Sequence, residues 1–164
     1  MQKLIIIRGN SGSGKSTVAK KLRQKLGPET MLISQDVVRR DILGVKDYNG
    51  NPTVQLIHDL AMYGKKIGFT VMIEGILKAS SNSEMLKSLA REFDGGVLVY
   101  YFDVPFEETL RRHDMKPNKD EFGEEEMQRW WIEKDYLGVT GEVTLDAEMS
   151  EDEIVEKIYT DCNI

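Results

Sequence analysis

Nine consecutive residues carry the clearest chemistry in the chain: Gly9-Asn10-Ser11-Gly12-Ser13-Gly14-Lys15-Ser16-Thr17 satisfies GxxxxGKS without a mismatch. Glycines in such a loop let the backbone bend around phosphates and aim successive N–H groups at them, and a helix beginning beside the loop adds the positive end of its dipole. Lys15 is then placed to reach the β and γ phosphates, and Ser16 to ligate Mg²⁺. A nucleoside triphosphate, ATP with Mg²⁺, is the expected ligand, cradled by Gly9 to Thr17.

A phosphate loop alone does not name a reaction, so other residues must discriminate. In an open α/β sheet, ligands sit beyond the carboxyl ends of the strands. Asp36 follows the apolar run Met31 to Ile33 at such an end, where it could accept the proton of an attacking hydroxyl or organise Mg²⁺ through water; it also suits a helix N-cap. Arg39, one turn on, could clamp an anionic group together with Arg40, or both could be solvated. Glu74 closes the run Phe69 to Ile73 and is preferred as the acid assisting Mg²⁺ over Asp103, which equally suits a cap for a helix opening at Pro105. Arg111 and Arg112 could lie over the transferred phosphoryl or pair with Glu107 and Glu108, four residues earlier; Arg129 could approach from the other side.

Other conspicuous residues read as structural. Met127, Trp130 and Trp131 have helical spacing and are expected in packing. His58 and His113 lack any partner pattern for a metal site or triad, and are expected to be structural or exposed. Tyr48-Asn49-Gly50-Asn51 reads as a turn that could flank an acceptor pocket. Asn118-Lys119-Asp120 is one residue short of the guanine-specifying NKxD, which argues against a GTPase.

The elements that must position these residues follow from pattern. Unbroken apolar runs at Leu4 to Ile7, Met31 to Ile33, Phe69 to Ile73 and Val97 to Phe102, with a weaker one at Val143 to Leu145, suit strands buried on both faces. Between them Lys15 to Leu26 reads as a helix stopped by Gly27-Pro28, and Asn51-Pro52 opens another running to about Ile67. Capping boxes at Ser81 to Glu84 and Ser150 to Glu153 predict two further starts, and Pro105 another. The alternation is that of a doubly wound α/β sheet. Asp114 to Glu126 is the one long polar stretch inside it and reads as a loop between two helices.

With 164 residues and a formal net charge of −6, the chain suits one domain, 1–164, and its acidity argues against non-specific nucleic-acid binding, though a local basic groove or a nucleic-acid end as substrate is compatible with it. The single Cys162 offers no disulfide framework or metal pattern, no apolar stretch is long enough to span a bilayer, and the start lacks a signal-peptide pattern; a cytoplasmic location is expected.

The combination of GxxxxGKST, SQDxxR (Ser34 to Arg39), Ile73-Glu74-Gly75 and Asp103 to Arg112 (DVPFEETLRR) resembles the small P-loop kinases, and within them the branch of chloramphenicol phosphotransferase, zeta toxins and polynucleotide 5′-hydroxyl kinases. The resemblance implies a parallel sheet of order 2-3-1-4-5, ATP as donor and a hydroxyl as acceptor. It also implies Asp36 as general base and a short lid at about 111–129 carrying a catalytic arginine. A nucleoside or nucleotide kinase in the narrow sense, and a nucleotide-dependent regulatory protein without an acceptor, are the alternatives.

Overall fold

A computed structural model describes residues 2–163. Five strands, β1 (Leu4–Gly9), β2 (Thr30–Ser34), β3 (Thr70–Gly75), β4 (Val97–Asp103) and β5 (Glu142–Asp146), form one sheet in the order β2-β3-β1-β4-β5. Every pairing is parallel, as expected for strands flanked by helical crossovers. The helices are α1 (Lys15–Leu26), α2 (Thr53–Lys66), α3 (Ala79–Glu92), α4 (Phe106–Asp114), α5 (Glu124–Trp130) and α6 (Glu151–Cys162). A π-helical turn, Val37–Ile42, follows β2.

The run Leu4 to Ile7 is apolar at every position because alternate side chains enter different cores. Leu4 and Ile6 pack with Ile57 and Ala61 of α2 and with Leu86 and Leu89 of α3. Ile5 and Ile7 pack with Val18 and Leu22 of α1 and with Ile154 and Ile158 of α6. The sheet is thus sealed on both faces, and a cleft opens past the carboxyl ends of its strands.

Most helix starts follow the local signals. Asn51 Oδ1 accepts from Thr53 N at 2.9 Å, and the Ser150 capping box is complete, with Glu153 N donating to Ser150 Oγ at 3.3 Å and Ser150 N to Glu153 Oε2 at 2.8 Å. The box expected at Ser81 does not form. Helix α3 begins earlier, at Ala79, whose N–H donates to Asp135 Oδ2 at 2.9 Å, so a carboxylate from a distant segment caps it. The same Asp135 meets Arg8 at 3.0 Å. Arg8 is fully buried, donates twice to the Leu77 carbonyl (3.1 and 3.0 Å) and lies 3.4 Å from Glu142. A buried cation needs such a set of partners, and here it fixes the turn after β3 to the segment leading into β5.

The polar stretch between α4 and α5 is ordered around His113. This residue is buried, its Nε2 lies 2.8 Å from the Phe122 carbonyl and 3.2 Å from that of Lys119, and its ring stacks on Phe122 at 4.4 Å.

Candidate functional site

The phosphate loop connects β1 to α1. Gly12 has φ +78°, and a Cβ there would lie 2.6 Å from the Thr109 carbonyl oxygen, so both backbone conformation and space demand glycine. Helix α1 has no acidic residue in its first turn, whereas α5 and α6 each open with three. The positive end of the α1 dipole therefore stays available to an anion. Lys15 is buried and folds back over the loop, donating to the Asn10 carbonyl at 2.7 Å and to Ser13 Oγ at 3.4 Å. Burial pushes its ammonium down to about 8, against the opposing pull of the Glu74 charge.

Asn10 uses its side chain elsewhere in the fold. Its Nδ2 donates to the Ile132 carbonyl at 2.7 Å, and its Oδ1 accepts from Ile132 N at 3.0 Å. This pair ties the loop to the segment leaving α5. Arg112 supplies a second tie: it donates to the Ser13 carbonyl at 2.8 Å, to the Ala147 carbonyl at 3.3 Å and to Glu108 at 2.8 Å.

Beyond the strand ends lies a cleft of about 800 Å³. On one side stand Ser11, Gly12, Lys15, Ser16 and Thr17. Glu74, at the end of β3, is buried and accepts a hydrogen bond from Ser16 Oγ at 3.2 Å. Asp103 instead accepts from the Tyr136 hydroxyl at 3.0 Å and does not line the cleft. Asp36 heads the π-helical turn on the other side without making a side-chain cap. Its exposed carboxylate leans on Arg39 at 3.5 Å and Arg40 at 3.8 Å. Arg39 is held by the Val45 carbonyl at 3.3 Å. The wide turn, closed by Leu43 N to Val38 O at 3.0 Å, brings Asp36, Arg39 and Arg40 to one wall.

Lys15, Ser16, Glu74, Asp36 and Arg39 therefore share one cleft. Arg111 and Arg129 do not line it. Arg111 is exposed and grips Glu108 at 2.7 Å, and Arg129 is exposed beside Glu126 at 3.5 Å. Both follow the i,i+3 pairing available on their own helices. The cation that does enter from this stretch is Lys116, half-buried, whose ammonium is lowered chiefly by burial while Glu74 and Asp36 pull it upward. Trp130, expected in packing, lines the cleft with Phe122, the two rings meeting edge to face at 5.0 Å. Met127 is buried as expected, and Trp131 packs edge to face on Phe106 at 5.2 Å. The Tyr48 to Asn51 turn is present, with Asn51 N donating to the Tyr48 carbonyl at 3.2 Å, but the cleft is reached by its neighbours Lys46 and Asp47.

Gln35, inside SQDxxR, and Asn82, inside the stretch that suggests a capping box, were not singled out as site residues, yet both line the cleft. Gln35 Oε1 accepts from Leu77 N at 2.9 Å and so locks the end of β2 to the turn after β3. The only sequence hint for Lys116 was its place in the polar stretch before Pro117.

The same P-loop fold recurs in known proteins. The chain belongs to the AAA_33 family, described as an AAA domain, whose model matches residues 4–131. No curated protein matches it. Among solved structures it is similar to Mycobacterium tuberculosis APS kinase CysC in complex with AMPPNP and APS, at 19% identity and TM-score 0.73 over 99% of this chain and 97% of that one. It is likewise similar to a gluconokinase from Sinorhizobium meliloti (17% identity, TM-score 0.64, 98% and 91% covered) and a sugar kinase from Janibacter (16%, 0.66, 98% and 94%). These share the three-layer fold with the 2-3-1-4-5 sheet. What this chain shares with these small kinases is their P-loop fold, and nothing in the matches singles out the narrower chloramphenicol phosphotransferase branch. No helix among the described residues is long and apolar enough to cross a membrane.

Proposed function

We propose that this chain is an ATP-dependent phosphotransferase that moves the γ-phosphoryl group to a hydroxyl acceptor, working as one domain, 1–164, whose segment 111–129 acts as the lid. The observation that carries this reading is the placement of Asp36, free of any side-chain capping bond, across one cleft from Lys15 and the Ser16–Glu74 pair. The similar solved structures, an APS kinase, a gluconokinase and a sugar kinase, support it as fold-level likeness.

The donor set suits Mg²⁺. Ser16 and Glu74 offer hard oxygens 3.2 Å apart, and no group of three or more His, Cys, Asp or Glu among the described residues could cage a metal. Mg²⁺ is commonly held by one or two protein oxygens, with phosphates and water completing the octahedron. Ser16 would ligate it directly and Glu74 would orient Ser16 or a bound water. The ion supplies charge neutralisation between the β and γ phosphates when bound.

In the reaction Lys15 swings from the Asn10 carbonyl to the phosphates. Asp36 accepts the proton of the acceptor hydroxyl as its oxygen bonds to the γ phosphorus. The bond from that phosphorus to the β–γ bridging oxygen breaks, and the electron pair leaves with ADP. Arg39 orients the acceptor, and Lys116, rather than Arg111 or Arg129, neutralises charge from the lid side. Arg112 steadies the loop through the Ser13 carbonyl. Such catalysis is positioning and electrostatics, with closure of the lid excluding water.

The test is ATP turnover by wild type and Asp36→Asn against metabolites, nucleosides, antibiotics and 5′-hydroxyl oligonucleotides, with nucleotide binding measured separately. One acceptor should stimulate turnover strongly, and Asp36→Asn should slow that transfer by about 10² to 10⁴-fold while still binding ATP. Full transfer by Asp36→Asn sinks the base assignment. Nucleotide binding without stimulation by any acceptor favours the regulatory alternative, and stimulation by nucleosides or nucleotides alone favours the narrow one.

A further inference from the structure

The chain is acidic, with a formal net charge of −6, yet the cleft wall facing the phosphate loop is cationic. Arg39 and Arg40 on the π-helical turn, Lys46 on the loop after it and Lys78 at the start of α3 all line that wall. Asp36 and Asp47 stand among them. Asp36 is shared between Arg39 and Arg40, Asp47 lies 3.4 Å from Lys78, and Lys46 enters no ion pair among the described residues. More positive than negative charge in a concave, partly desolvated place concentrates anions. Four cations against two carboxylates leave this wall with a positive surplus on an otherwise acidic chain, and that surplus is what an anionic ligand would meet.

A second observation comes from α3. Asn82 is 3% exposed, and its Nδ2 donates to the Lys78 carbonyl at 3.0 Å. Its Oδ1 is buried with no hydrogen-bond partner among the described residues, and the residue lines the same cleft. A buried amide oxygen without a donor destabilises the fold around it. A turn of the amide towards the cleft would let a ligand's hydroxyl or N–H supply the missing donor.

From these we infer that the acceptor is a hydroxylated anion. Its carboxylate, phosphate or sulfate group is held by Arg39, Arg40, Lys46 and Lys78, and a further hydroxyl or N–H donates to Asn82 Oδ1, which leaves the reacting hydroxyl at Asp36. This inference rests on the phosphotransferase reading and narrows its acceptor class. Guanidinium groups can grip such an anion bidentately, while the lysines act as point charges.

The anion site is tested first without turnover. With the phosphate loop saturated by AMPPNP and Mg²⁺, sodium sulfate is titrated at constant ionic strength and followed by calorimetry. Saturable binding is expected. The double variant Arg40→Gln, Lys46→Gln should weaken it at least about ten-fold, and Lys66→Gln, the same kind of charge change on an exposed helix end, by less than about two-fold. No saturable binding, or binding unchanged in the double variant, overturns the inference. Transfer from ATP is then compared between glycerate and glycerol, glycerol 3-phosphate and glycerol, and 5′-AMP and adenosine. Preference for an anionic member supports the inference and shows which anion is taken; equal or better transfer to a neutral member overturns it. The two readings fail separately. Variant-sensitive sulfate binding in a protein that does not bind AMPPNP sinks the phosphotransferase and keeps the anion site, whereas transfer to neutral acceptors keeps the phosphotransferase alone.

Discussion

The two walls of the cleft are built by different means. The phosphate-loop wall is backbone held in place by contacts to distant segments: Asn10 on Ile132, Arg112 on the Ser13 carbonyl, Gly12 against the Thr109 carbonyl. The facing wall is side chains on a π-helical turn, a loop and the connection after α4, with an exposed Asp36, long ion pairs to Arg39 and Arg40 and an unpaired Oδ1 on Asn82. A triphosphate is the same for every member of a broad fold, so its cradle can be rigid before anything binds. An acceptor differs from enzyme to enzyme, and the groups that meet it are carried on segments that vary without disturbing the sheet.

The sharpest way to break this contrast is Lys15→Met. Loss of the ammonium at the phosphates should lower transfer by about 10³-fold or more, the scale of removing a principal transition-state charge contact. Stability should move the other way. The folded-state pKa of Lys15 is depressed to about 8 from 10.5, so between those values the unfolded chain binds more protons and wild-type stability rises with pH. Below about pH 8 the buried charge costs on the order of 3 kcal/mol. The variant should therefore be more stable than wild type at pH 7, with an advantage that shrinks as pH climbs from 8 towards 10. Chemical denaturation of both proteins across that range measures it, and an advantage constant with pH contradicts the buried-charge account. Gly12→Ala should come next, costing about 2–3 kcal/mol of stability and weakening AMPPNP binding, because its methyl group meets the Thr109 carbonyl and its φ is positive. Normal binding with normal stability would show that this wall is softer than its contacts imply.

The same contrast decides what could be read from sequence. Gly9 to Thr17 was legible because a backbone cradle has a fixed spacing, and the strands were legible because burial on both faces leaves an unbroken apolar run. That Asp36 and Glu74 would stand beside the cleft followed from position, as acids at strand ends. The start of α3 was misplaced because Asp135, fifty-odd residues away, overrides the local box at Ser81. Trp130 was assigned to packing because helical spacing does not say whether a ring faces a core or a cleft. Arg8 inside a strand gave no warning that its partners, Asp135 and Glu142, lie on a segment brought near only by the fold.

The arginines of the stretch after β4 show the limit most clearly, and they carry the smallest expected effects. Chemistry favoured them over lysine for gripping a phosphoryl group, but Arg111 and Arg129 are spent on carboxylates one turn away, while Lys116 is drawn into the cleft towards Glu74 and Asp36. Lys116→Gln should lower kcat about ten- to a hundred-fold, with AMPPNP affinity much less affected, because its charge matters most when the phosphoryl group is in flight. Arg111→Gln and Arg129→Gln should each change kcat and KM by less than about two-fold, as expected for exposed pairs outside the cleft. Single-turnover rates on the three variants separate the cases. If Arg129→Gln proves as slow as Lys116→Gln, the lid closes further than the described arrangement, carrying α5 over the phosphates and trading its Glu126 contact for the transferred group; equal, near-normal rates in all three would leave neutralisation of the developing charge to Lys15 and the metal alone.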